Sequence, residues 1–136
     1  MPFALKFVGI SVFNFVGNFE DFDQIVNDAY AQTQLPWLRF FLSYDPAPAI
    51  AELKCPVLAM NGTLDLQVSA KQNLPAIENA ILATGGNITV VELDGLNHLF
   101  QPAHLGLVSE YSAIETTFDA KALRIMSDWI SNVASD

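Results

Sequence analysis

Among 136 residues the chain has one cysteine, Cys55, so no disulfide can close within it. Cys55 lies in the run Lys54-Cys55-Pro56-Val57-Leu58 and reads as a small buried hydrophobe at the mouth of a strand. A nucleophilic thiolate there would need exposure and an adjacent base. Basic residues are scarce, six against fifteen acidic ones, for a net charge of -9. Such a chain is repelled by phosphate backbones, so no nucleic-acid partner is expected. Nor is there a polybasic segment to draw it to anionic lipid. Glycine-rich phosphate loops, repeats and low-complexity tracts are lacking too. The chain has two histidines, His98 and His104, and with Glu110 or Asp94 they fit no helical H-x-x-x-H pattern. Neither a metal nor another cofactor is therefore expected.

Long uninterrupted apolar runs are also missing. Phe3 to Phe19 comes nearest, but Lys6 and Asn14 interrupt it and it is short for a bilayer span. It has no strong basic n-region and no A-x-A cleavage pattern, so a signal peptide is not indicated. It reads as a soluble, exposed segment cut from a larger protein, and no membrane partner is expected.

What is present is apolar side chain, 51% of the residues, ample for a packed core. Part of it is expected to face a partner. Residues Phe19 to Tyr44 read as helical, with Phe22, Ile25, Val26, Ala29 and Tyr30 on one face. Glu20, Asp21 and Asp23 fit a solvated first turn, where the helix dipole favours them. Pro36 suits the first turn of a second helix, Trp37 to Ser43, and Asp45-Pro46-Ala47-Pro48 stops it. Pro56-Val57-Leu58-Ala59-Met60, closed by Asn61-Gly62, reads as a parallel strand buried on both faces. Ser69-x-x-Gln72 resembles a capping box, Pro75 is expected to restart the helix, and Gly85-Gly86 to end it. Ile88-Thr89-Val90-Val91-Glu92-Leu93 is a β-branched second strand. A loop then runs to about Thr117, and Asp119 caps a last helix with the face Ala122, Leu123, Met126, Trp129, Ile130 and Val133. Strand, helix, strand and helix in that order make a βαβ unit with a parallel pairing, an α/β class.

Two loops follow these strands directly: Asn61-Gly62-Thr63-Leu64-Asp65 and Asp94-Gly95-Leu96-Asn97-His98. In open α/β sheets functional groups collect at the carboxyl ends of strands. Neighbouring parallel strands would put Asp65 beside His98. A carboxylate that accepts from one imidazole nitrogen leaves the other free to take a proton. The competing reading makes Asp65 a turn-former and His98 a structural or exposed residue.

The stretch Pro36-Trp37-Leu38-Arg39-Phe40-Phe41-Leu42-Ser43-Tyr44-Asp45-Pro46 resembles the end of the cap region in a group of bacterial α/β-hydrolases of serine-esterase or dienelactone-hydrolase type. Cys55 to Asp65 resembles their acid-bearing strand, Ala70 to Pro75 the next helix, and Gly95-Leu96-Asn97-His98-Leu99-Phe100-Gln101 their histidine loop. The resemblance spans Leu35 to Ile130. It implies a partial α/β-hydrolase fold: an N-terminal segment and helical cap remnant over residues 1–46, and a C-terminal βαβα part of the core over 47–136. It also implies a Ser-His-Asp triad in which Asp65 is the acid and His98 the base. Trp37, Phe40 and Phe41 would pack to the core or line an acyl pocket.

The family's serine stands on a G-x-S-x-G elbow, and this sequence has none. Gly9-Ile10-Ser11-Val12 lacks the second glycine, and Ser43 and Ser69 fall on helices or caps. Without nucleophile or oxyanion hole, an Asp–His pair is expected to be nearly inert. Two readings follow. The chain is part of a hydrolase of esters or related acyl compounds that needs its N-terminal half, or an inert truncated product that self-associates. The implied partners are a small-molecule acyl ester in the complete enzyme, and a second copy or the missing half. The compartment stays open between bacterial cytoplasm and secretion.

Overall fold

The computed structural model describes residues 22–135. The segment Phe3 to Phe19, Ser11, Glu20 and Asp21 lie outside the described residues, as do the side chains of Phe22 and Ile25. The chain divides into two units between Pro46 and Ala47, each taken by itself below.

The first unit holds α1 (Phe22–Thr33) and α2 (Pro36–Ser43), which touch each other. Asp23 is in the first turn of α1 and is exposed. Of the expected α1 face, Ala29 is half-buried, whereas Val26 and Tyr30 are exposed. Pro36 opens α2, where a missing N–H costs no helical bond. The ring of Phe40 lies 5.3 Å from that of Tyr44, centroid to centroid. Trp37, Phe40 and Phe41 are all exposed rather than packed in a core.

The second unit is of mixed helix and strand. In chain order it contains α3 (Ala47–Ala51), β1 (Val57–Gly62), α4 (Ala70–Leu82), β2 (Ile88–Leu93), a 3-10 helix (Val108–Ala113) and α5 (Ala120–Val133). β1 and β2 pair in parallel as an open two-stranded sheet, in register from Val57 opposite Ile88 to Gly62 opposite Leu93. Successive strand side chains point to opposite faces. Ala59, Ile88 and Val90 pack with Ala70, Leu74 and Ile77 of α4, while Met60, Val91 and Leu93 pack with Ala122 and Ile125 of α5. The unit is thus a two-stranded α/β layer with a helix on each face. Leu93 and Ile81 are each 1% exposed, and burying a side chain of this size stabilises by about 1.5–3 kcal/mol.

Several expectations are corrected. Cys55 is exposed, not buried. β1 is buried at Ala59, Asn61 and Gly62 but only half-buried at Val57, Leu58 and Met60, because among the described residues no third strand covers the edges of the sheet. Asn61 and Gly62 belong to the strand instead of closing it. The short helix α3 begins within the stretch expected only to stop α2, and Thr84 Oγ1 donates to Ala51 O at 2.9 Å. Pro75 sits inside α4 and does not restart it. Both Pro75 and Lys71, whose carbonyl the proline cannot satisfy, are on the exposed side, where water substitutes. Ser69 is the N-cap of α4 but makes no side-chain cap bond, so the capping box is not formed. The end of α4 is a Schellman pairing, Gly86 N to Ile81 O and Gly85 N to Leu82 O, both 3.0 Å. On α5 the inward face is Ala122, Ile125, Met126, Trp129 and Val133. Leu123 and Ile130 are 50% and 59% exposed, so the true stripe is rotated from the expected one. Asp119 does cap α5, accepting from Lys121 N at 2.7 Å and Ala122 N at 3.2 Å.

Candidate functional site

The carboxyl ends of the two strands are laced together before either candidate side chain is reached. Thr63 N donates to Leu93 O at 2.9 Å and Leu64 N to Leu96 O at 3.0 Å, which prolongs the ladder past the sheet. Gly62 lies so close to the Leu96 carbonyl that a Cβ would overlap it, so only glycine lets the loops approach this far. Gly95 N donates to Thr63 Oγ1 at 2.8 Å, and Thr63 Oγ1 to Asp94 Oδ1 at 3.3 Å.

Asp65 follows in a tight turn, its N–H donating to Gly62 O at 3.2 Å. Its Oδ1 accepts from Gln67 N at 3.0 Å and Val68 N at 2.8 Å, an aspartate bonding its own downstream backbone. Asn61 Nδ2 donates to Val68 O at 2.9 Å and pins the far side of the turn. Asn61 Oδ1 is buried and has no partner among the described residues.

The second loop is organised by Asn97, 1% exposed. Asn97 Oδ1 accepts from Leu99 N at 2.9 Å and Gln101 N at 3.0 Å. Its Nδ2 donates to Gln101 Oε1 at 3.0 Å, and Gln101 Nε2 donates to Thr116 O at 3.0 Å. Phe100, forced to a φ of 55° inside this turn, stacks on Phe118 with centroids 5.1 Å apart. His98 is therefore carried on a braced turn.

The two loops bring His98 Nδ1 to 2.9 Å from Asp65 Oδ2. The Asp65 side chain is 5% exposed and that of His98 34%. A carboxylate only accepts, so the contact assigns the ring proton to Nδ1 and leaves the Nε2 lone pair available in the neutral ring. Nε2 has no hydrogen-bond partner among the described residues. The arrangement can take a proton at Nε2 while the buried carboxylate offsets the charge gained by the ring.

The other candidates are engaged elsewhere. Ser43 Oγ donates to Phe40 O at 3.1 Å. Glu110 accepts from Leu105 N and Gly106 N, and Asp94 from Thr63, while His104 is exposed. Among the described residues no three His, Cys, Asp or Glu side chains could together hold a metal ion. No described helix is long and apolar enough to cross a membrane.

Sequence reasoning missed Asn97 and Gln101 as braces, and missed Gln67 and Tyr111. Asn97 carried a usable signal: asparagine in a short loop readily bonds backbone two residues on. Gln67 Nε2 donates to Tyr111 Oη at 2.6 Å across 44 residues, and no local pattern announces such a pair. Burial, the larger cause, and the nearby charge of Asp65 raise the Tyr111 phenol above its ordinary value; the Gln67 hydrogen bond opposes them.

Fold and site together define an α/β chain that holds a carboxylate–imidazole pair at the carboxyl ends of two parallel strands. Compared with protein-family models, curated proteins and solved structures, the chain matches none.

Proposed function

We propose that the chain supplies the acid, Asp65, and the base, His98, of a serine hydrolase acting on carboxylic esters or related acyl compounds. In this reading the second unit is part of an α/β-hydrolase core, and the nucleophilic serine comes from outside these 136 residues. The observation that supports it is the 2.9 Å contact between a buried carboxylate and a half-exposed imidazole whose Nε2 is free among the described residues. His98 Nε2 would take the proton of the serine hydroxyl as it attacks the acyl carbon, and return it to the leaving alcohol. In the second half-reaction the same nitrogen would deprotonate water. Asp65 holds the Nδ1–H tautomer and stabilises the imidazolium, without taking the proton itself.

The test is hydrolysis of p-nitrophenyl acetate by the chain alone, and by the chain co-expressed with an α/β-hydrolase N-terminal half that carries the G-x-S-x-G elbow. The chain alone should do little better than free imidazole. The complemented protein should turn over, and His98→Ala should lower kcat by about 10⁶. Complemented activity indifferent to His98→Ala would sink the proposal.

A second reading has one observation in its favour: among the described residues the sheet has two strands, each with an open edge. Open edges invite pairing, so a second copy could extend the sheet in a non-catalytic dimer. Light scattering decides it, since a folded monomer at all accessible concentrations removes this reading.

A further inference from the structure

The loop of residues 105–111 touches the turn that carries Asp65 on both sides. Gly106, at φ +77°, lies against Leu64 O so closely that a Cβ would overlap it, one residue before Asp65. Tyr111 Oη accepts from Gln67 Nε2 at 2.6 Å, two residues after Asp65. The loop is itself stapled shut. Glu110 Oε2 accepts from Gly106 N at 2.8 Å and from Leu105 N at 3.2 Å, so the two ends of the loop move as one. Gln67 links this staple to the acid directly, since its backbone N–H donates to Asp65 Oδ1 at 3.0 Å while its side chain reaches Tyr111. Burial, and to a lesser extent the Asp65 charge, raise the Tyr111 phenol above its ordinary value.

We propose that Tyr111 is a positioning residue: through Gln67, and with Gly106 seated on Leu64, it clamps the Asp65 turn in the orientation that meets His98 Nδ1. The inference rests on Asp65 and His98 being a working pair, but not on the substrate that pair serves. The turn is anchored at its two ends, Leu64 N on Leu96 O and Val68 O on Asn61 Nδ2, and can still rock between them. Fixing residues 64 and 67 from one rigid loop removes that freedom, so Oδ2 stays aimed at the imidazole without reorganising when the ring becomes charged.

The test is water exchange of the His98 Nδ1 proton, followed by NMR on the labelled full chain. Tyr111→Phe keeps the ring and deletes the acceptor, and Gln67→Ala deletes the donor. Each should speed Nδ1–H exchange by about fivefold, the Boltzmann factor of one net hydrogen bond. The double variant should go no further than either single one, because both break the same link. Amides of β1 and β2 should exchange as in the parent. Unchanged Nδ1–H exchange in both variants overturns the clamp. So does an equal acceleration at the strand amides, which would make Tyr111 a general stabiliser. If Tyr111→Phe does not fold, Gln67→Ala alone decides. An inactive complemented hydrolase with the exchange effect intact would remove the ester reading and leave the clamp standing.

Discussion

Replacing Asn97 by alanine deletes three hydrogen bonds at once: two accepted by Oδ1, from Leu99 N and Gln101 N, and one donated by Nδ2 to Gln101 Oε1. At about 1 kcal/mol net for each, the bonds alone come to about 3 kcal/mol. The two freed N–H groups differ in fate. Leu99 is 43% exposed and its N–H can turn to water, but Gln101 is 8% exposed and keeps an unsatisfied N–H and Oε1 in the interior. The first lowers the estimate and the second raises it, which leaves a loss of about 2–4 kcal/mol. Urea unfolding followed by far-ultraviolet circular dichroism measures it. With a slope of about 1.5 kcal/mol per molar, suited to a small domain, the midpoint should fall by roughly 2 M. Gln101→Ala should cost less, and the double variant less than the sum, since the two residues share bonds. A loss below about 1 kcal/mol in Asn97→Ala would count against this bracing role, because it would mean that water takes over the bonds of a side chain that is 1% exposed.

Gly62→Ala sets a Cβ against the backbone carbonyl of Leu96, which cannot swing aside as a side chain would. It should cost about 2–4 kcal/mol in the same urea assay, and an unchanged midpoint would show that the strand ends are not so close. The Tyr111 phenol, raised by burial and by the Asp65 charge, holds its proton more tightly folded than unfolded. The stability it contributes is therefore fully present below the ordinary phenol value of 10.0 and is lost as pH rises through the folded value. Tyr111→Phe should flatten that alkaline decline, and parallel declines in the two proteins would count against the environment described for the phenol.

The elements that sequence alone makes legible are those whose cause is local. Ile88 to Leu93 forms the strand its β-branched run indicates, and Asp119 caps the helix it precedes. Asp65 and His98 could be paired on paper because each lies in the loop that follows a strand, so the parallel register brings their two loops side by side. What failed depended on tertiary context. The periodic reading of α5 takes in Leu123 and Ile130 and leaves out Ile125, whereas packing with Leu93, Leu96 and Phe118 selects Ile125 and leaves the other two exposed. Pro75 reads as a break, yet a helix tolerates it where the orphaned carbonyl faces water. The link from Gln67 to Tyr111 joins a loop residue to one in the 3-10 helix 44 residues further on, and nothing near either residue encodes it.

The site and the sheet stand or fall together, for a reason visible in the register. Leu64 N reaches Leu96 O, and Gly62 lies against the same carbonyl, only while Gly62 stands opposite Leu93. A slip of one residue reverses which side chains face each helix. It would move Met60 out of the layer beneath α5 and push Thr63, with its Cβ, toward the space that only glycine fits. The core therefore opposes any register other than the one that delivers Asp65 to His98. Three N–H donors meet that carboxylate: Gln67 and Val68 from its own turn, and the imidazole from the neighbouring strand's loop. The first two form whenever the turn forms, while the third requires the strands to be paired. Held out of water at 5% exposure, Asp65 depends on that third donor to complete its shell. Pairing of the strands and assembly of the Asp65–His98 pair are consequently one event, and the imidazole stabilises the fold through the same hydrogen bond that fixes its orientation.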